Sequence, residues 1–181
     1  MRLFLALDLP ESARTEVVRW RDATIAGRDD LRPVPAAALH VTLVFLGSKP
    51  ADAAGRLWSV AAAAAGACRA PGLTPLGVIA VPRRQPRLFA LDLADDGGRA
   101  AELHRAVAGA LADADLHEAE DRPFWPHVTL ARVGRGIRPE PWPARQPLPA
   151  PFTSCSLTLY RSEPAPSGAR YRVLKRLELA P

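Results

Sequence analysis

RLFLALDL at residues 2–9 and RLFALDL at residues 87–93 are each followed by an amphipathic stretch and then by one tetrapeptide, HVTL, at 40–43 and again at 127–130. His40 lies 38 residues after Arg2, and His127 lies 40 residues after Arg87. A leucine-rich heptamer alone recurs by chance. Matched order, spacing and tetrapeptide together mark an internal duplication of a strand, helix, strand unit. The two copies span about 2–47 and 87–133, and they predict a single bilobal domain over 1–181 whose lobes are related by a pseudo-twofold axis.

The rest of the chain fills in around these units. Alternation in RLFLALDL puts Leu3, Leu5 and Leu7 on one face and Phe4, Ala6 and Asp8 on the other, as in a strand with one greasy side. Pro10 and Glu11 suit the start of a helix, with Ala13, Val17 and Ile25 at helical spacing up to Gly27. A polar stretch reaches Ala38, and LHVTLVFLG at 39–47 reads as a second strand. Leu57, Val60, Ala61 and Ala64 stripe a helix between Pro50 and Gly66. LGVIAV (76–81) and RLFALDL read as a hairpin closed by the basic turn PRRQP. Asp95–Gly98 form a turn and cap, and Ala100, Leu103, Val107 and Leu111 the next helical face. HVTLARV (127–133) is a strand, while FTSCSLTLYRS (152–162) and YRVLKRLEL (171–179) close the chain as a pair linked by EPAPSGA. The class is α+β.

At 181 residues and 19.5 kDa the chain supports one core. With 48% hydrophobic and 24% charged residues, long disorder, a collagenous repeat and a coiled coil are excluded. The apolar run from Leu3 is broken by Asp8 and Pro10, so it is no signal peptide, and no stretch approaches the roughly 20 apolar residues of a membrane span. A cytoplasmic protein is expected. The formal charge is +5 and the pI about 10.0, yet Lys49 and Lys175 are the only lysines among 24 basic residues. Abundant Ala and Pro beside Arg point to a GC-rich coding bias. Arginine is nevertheless the better bidentate partner for phosphate, so anionic partners, nucleic acid first, are favoured. Cys68 and Cys155 match no zinc or CxxC spacing and read as free thiols.

On a strand, His40 and Thr42 project from one face while Val41 and Leu43 project from the other, and His127 and Thr129 repeat the pattern. If the lobes face each other, two imidazoles and two hydroxyls converge. Two imidazoles near neutral pH suit a reaction in which one proton is removed and another delivered. Two threonine hydroxyls can donate to the non-bridging oxygens of a phosphate between them. Two histidines without a nearby carboxylate or cysteine at ligand spacing fall short of a zinc set, so neither a metal nor another cofactor is expected. The chemistry read from these residues is in-line phosphodiester cleavage.

The paired HVTL motifs, the run PFWPHVTLAR at 123–132, the opening RLFLALDLP, and LYRS (159–162) with YRVLKRLEL resemble the 2H phosphoesterase superfamily. Within it they resemble the bacterial and archaeal RNA 2′,3′-cyclic phosphodiesterases, also called 2′-5′ RNA ligases. The resemblance implies a bilobal α+β fold with two antiparallel sheets lining a central cleft and helices outside. It also implies metal-independent hydrolysis of a terminal 2′,3′-cyclic phosphate to a 2′-phosphomonoester, with His40 as proton donor and His127 as proton acceptor. Thr42 and Thr129 would hold the phosphate. The partner is RNA or an oligonucleotide with a cyclic phosphate end, with no membrane involved, and the protein is expected to be a monomer. Alternatives at the same site are ATP-independent 2′-5′ ligation and hydrolysis of a small cyclic nucleotide; an RNA-end-binding module without turnover is a third.

Arg132 follows the second motif and is the first arginine to consider for the phosphate. Strict alternation places it opposite His127 unless a bulge turns the chain. Phe4, beside small Ala6, is a candidate ring for a terminal base. Arg83, Arg84 and Arg87 belong to a basic turn, and Trp125, Arg170 and Tyr171 are weaker cleft candidates. His104, and His117 in the acidic stretch with Glu118, Glu120 and Asp121, are assigned no role.

Overall fold

In the computed structural model, residues 1–118, 122–165 and 168–181 are described; Glu120 and Asp121 of the acidic stretch, and residues 166–167 of the expected closing loop, lie outside them. The elements in order are β1 (Arg2–Asp8), α1 (Glu11–Thr24), β2 (Leu31–Pro33), a 3₁₀ turn (Ala36–Ala38), β3 (His40–Ser48), α2 (Ala53–Ala65), β4 (Gly72–Val81), β5 (Leu88–Asp96), α3 (Arg99–Asp113), β6 (His127–Val133), β7 (Phe152–Thr153), β8 (Ser156–Ala165) and β9 (Gly168–Glu178). The strands form one antiparallel sheet in the order β7-β4-β5-β6-β3-β1-β8-β9, with β2 also paired to β6. The duplicated units supply its middle strands, β5-β6 and β3-β1, and β4 and β8, from outside the units, flank them on either side.

The two sheets implied by the resemblance are thus halves of one continuous sheet. They join where β3 meets β6 through one residue pair, Val41 opposite Val128, in the middle of the two HVTL motifs, and β2 pairs alongside with the far end of β6. Both valines are fully buried. Leu3, Leu5 and Leu7 sink into the main core with Val17 of α1, Leu57 and Ala61 of α2, and Ala100, Leu103, Val107 and Leu111 of α3. Each fully buried leucine there contributes about 2 kcal/mol. α3 begins at Gly98, whose φ of 73° is left-handed, and the Asp95 carboxylate accepts from the Ala100 and Ala101 amides at 2.9 and 2.8 Å. The Asp95–Gly98 turn therefore caps the helix from the end of β5.

Three expectations change. β1 is buried on both faces, because Phe4 and Ala6 pack with Tyr160 of β8 in a separate apolar cluster. The polar stretch before Ala38 holds β2, a strand too short for an alternation pattern to announce. The closing loop is a hairpin, because β8 and β9 pair as far as Ala165 opposite Gly168. Among the described residues no helix is long and apolar enough to cross a membrane.

Candidate active site

The first motif rides on β3, the second on β6, and the Val41–Val128 pair sets them side by side in opposite directions. With the valines turned into the core, His40, Thr42, His127 and Thr129 face the other side, and all four are half-buried. The two rings are held alike. His40 Nδ1 donates to the Ala38 carbonyl at 2.8 Å, and His127 Nδ1 donates to the Trp125 carbonyl at 2.9 Å. A carbonyl only accepts, so each ring keeps its proton on Nδ1 when neutral and leaves Nε2 unprotonated. His40 Nε2 lies 3.1 Å from Thr42 Oγ1, whose hydroxyl can donate to it.

The flanking strands supply an acidic residue to each ring from equivalent places in the repeated heptamer. Asp8 sits opposite His40, and Asp92 opposite His127. Their own partners differ. Asp8 is nearly buried and accepts from Ser156 Oγ (3.0 Å), Thr158 Oγ1 (2.7 Å) and Tyr160 OH (2.6 Å), and it pairs with Arg176 Nη2 at 2.8 Å. Burial, then the Asp8 carboxylate, push the Tyr160 phenol far above its ordinary value, so it serves as a fixed donor. Asp92 accepts from Trp125 Nε1 at 2.6 Å, and that indole stacks on His127 with centroids 3.9 Å apart. Neither acid was singled out from the sequence; their equivalence in RLFLALD and RLFALD was the available signal.

Burial is the main cause that pushes both imidazoles below the ordinary value of 6.5. For His40 the Ala38 hydrogen bond and Asp8 act in the opposite sense, while the charges of His127 and Arg132 lower it further. For His127 the Trp125 hydrogen bond and Asp92 oppose the burial. The interaction of His40 with both His127 and Arg132 brings residues from the two duplicated units into one site.

Arg132 reaches this face through a bulge. On β6, Thr129 pairs with Ala90 but Ala131 pairs with Phe89, so Leu130 is the extra residue, and Leu130 and Ala131 are both buried. The parity then reverses and exposed Arg132 returns to the side of His127 and Thr129. β3 does the same. Thr42 pairs with Ala6 and Val44 with Leu5, Leu43 is the extra residue, and Phe45 emerges on the face of His40 and Thr42, opposite Phe4. Phe45 and Arg132 are thus counterparts, each five residues beyond its histidine, and Phe45 is 60% exposed. Alignment of HVTLVF with HVTLAR was the sequence signal for it.

Phe4 does not stand where a base could reach it. It is 4% exposed, stacked on Tyr160 (5.2 Å, 17°) and met edgewise by Tyr171 (5.0 Å), and it supports the His40 ring at 4.9 Å. Tyr171 also meets His40 edgewise at 5.2 Å. Arg170, opposite Glu163 in the β8–β9 ladder, projects from the other face of β9 to Tyr171. Arg83, Arg84 and Arg87 lie exposed between β4 and β5. His104 donates from Nδ1 to the Leu43 carbonyl at 2.8 Å and stacks on Phe124, which fits a structural part. Cys68 is buried and Cys155 exposed, both free. Among the described residues no group of three or more His, Cys, Asp or Glu is placed to hold a metal ion.

The comparisons with known proteins agree with this arrangement. Residues 9–165 match the 2′-5′ RNA ligase superfamily. The chain is 32% identical over 178 residues to an RNA 2′,3′-cyclic phosphodiesterase of Escherichia coli (strain K12), covering 98% of this chain and 96% of that one. It is 34% identical over 189 residues to the enzyme of that name from Thermus thermophilus, covering 99% and 90%. A crystal structure of a Thermus thermophilus protein superposes with a TM-score of 0.80 at 29% identity, covering 99% of this chain and 98% of that one. E. coli LigT complexed with 3′-AMP superposes at 0.75 with 30% identity, covering 98% and 97%. This chain, with its two HVTL strands side by side in one sheet, belongs to the 2′-5′ RNA ligase superfamily.

Proposed function

We propose that this protein is an RNA 2′,3′-cyclic phosphodiesterase, a phosphoric diester hydrolase that opens a terminal cyclic phosphate to a 2′-phosphomonoester. The observation that carries the reading is the matched pair of imidazoles on one face of the sheet, each with Nδ1 tied to its own backbone and Nε2 left for chemistry. His127 Nε2 takes a proton from water as the water oxygen bonds to phosphorus. The P–O3′ bond breaks, its electron pair stays on O3′, and protonated His40 Nε2 delivers a proton there. Thr42, Thr129 and Arg132 hold the non-bridging oxygens as charge builds on them. This division of labour follows the family resemblance, since Asp8 and Asp92 favour the charged form of His40 and of His127 alike. Phe45 is the ring free to stack on the terminal base, in place of Phe4. One chain supplies both motifs, so the site is complete in a monomer, neither half is expected to act alone, and the enzyme meets its RNA in the cytoplasm.

The direct test is hydrolysis of an oligoribonucleotide 2′,3′-cyclic phosphate in EDTA, with product analysis. A 2′-phosphate formed at an undiminished rate supports the reading. A 3′-phosphate, loss of activity on chelation, or retention of the cyclic phosphate would sink it. Adding an RNA with a 5′-hydroxyl shows whether joining accompanies hydrolysis.

The pH dependence follows from burial of the rings. The productive free enzyme carries one proton on the pair, and both rings titrate below 6.5. Raising the pH strips the donor and lowering it protonates the acceptor. A bell-shaped kcat/KM profile with its maximum below pH 6.5 is expected, and a plateau extending to pH 9 would contradict it.

A further inference from the structure

β2 pairs with β6 so that Arg32 stands directly opposite Arg132. One residue away on each strand, Leu31 and Ala131 are buried in one apolar cluster, so the two arginines project from the other side, toward the cleft. Both are exposed. Among the described residues neither has a carboxylate partner, and Asp30, the acid nearest in the chain to Arg32, is already gripped by Arg28 Nε and Nη2 at 2.6 Å each. Like charges directly across a ladder are destabilising. A three-residue strand carrying such a pair into a phosphate-handling cleft marks a place for two negative charges. The exposed PRRQPR turn flanks that end, since the Val133 amide donates to the Arg87 carbonyl at 2.9 Å.

In the reading above, Arg132 takes the reacting cyclic phosphate. We propose that Arg32 forms a second phosphate subsite, for the phosphodiester that joins the terminal nucleotide to the rest of the RNA. The enzyme then selects RNA ends over mononucleoside 2′,3′-cyclic phosphates, because a mononucleoside substrate has no second phosphate to offer. This subsite rests on the phosphodiesterase reading, and its bond to the RNA is a charge-assisted contact from a guanidinium to a non-bridging oxygen.

The experiment compares adenosine 2′,3′-cyclic phosphate with an oligoribonucleotide ending in the same group, for wild type, Arg32→Gln and Arg32→Lys. Arg32→Gln is expected to raise KM for the oligonucleotide about tenfold, as loss of one charged hydrogen bond does, with a far smaller effect on the mononucleoside substrate. The slope of log(kcat/KM) against log salt for the oligonucleotide should shrink by about 0.7, one phosphate contact on a single strand. Arg32→Lys should restore much of the discrimination, which a purely structural role for the guanidinium would not produce. Equal losses on the two substrates, or no change on the oligonucleotide, would overturn the subsite. Failure of wild type on both substrates would instead overturn the phosphodiesterase reading. Fluorescence anisotropy with the 2′-phosphorylated oligonucleotide and with adenosine 2′-phosphate measures the same discrimination without turnover, so the two failures stay distinct.

Discussion

His127→Ala is expected to lower kcat/KM on an RNA 2′,3′-cyclic phosphate by on the order of 10³-fold, and His40→Ala by a similar factor, since in the proposed reaction each removes a proton-transfer group. Neither ring is a core residue: both are half-buried, and their anchors are backbone carbonyls that water can satisfy once the ring is gone. The variants should therefore stay folded, which circular dichroism and thermal melting would establish. The double variant should be little worse than either single one, because the two groups act in the same step and their losses do not add. A phosphodiester with a p-nitrophenolate leaving group separates the roles. That leaving group needs no proton, so His40→Ala should lose much less on it than on the cyclic phosphate, while His127→Ala should lose heavily on both. The reverse pattern would exchange donor and acceptor.

The second large effect belongs to Arg132. Arg132→Ala is expected to cost on the order of 10²-fold in kcat, the usual consequence of removing one donor aimed at developing negative charge. Arg132→Lys should recover only part of it, because an ammonium offers a point charge where the guanidinium offers a planar fork. The pH profile provides an independent check on position. Arg132 lowers the proton affinity of His40, so its removal stabilises the imidazolium and should move the alkaline limb of kcat/KM to higher pH. An unmoved limb would place the guanidinium away from His40.

Much of the site was legible in the order of residues. The repeated heptamer and tetrapeptide are local, and the period of two in HVTL is enough to put histidine and threonine on one face and the apolar pair on the other. The same period misled where the ladder carries an extra residue. Strict alternation set Arg132 on the far side from His127 unless a bulge intervened, and it offered Phe4 an open surface. Leu43 and Leu130 each bulge, so both parities reverse, while Tyr160 and Tyr171 arrive from more than 150 residues further on to bury Phe4. Asp8 shows the same limit. Its carboxylate belongs to a network closed by β8 and β9, at separations that no local pattern reports.

By itself the sequence determined the duplicated unit, the two His-x-Thr pairs and the helical faces that bury against the sheet, because alternation and helical spacing act over a few residues. Only the tertiary structure decided that the halves join at Val41 and Val128, that Phe45 and Arg132 turn into the cleft, and that Arg32 stands opposite Arg132. Those outcomes depend on register between strands far apart in the chain. A single extra residue in a ladder moves every later side chain to the other face, and only the paired strand shows where that residue sits.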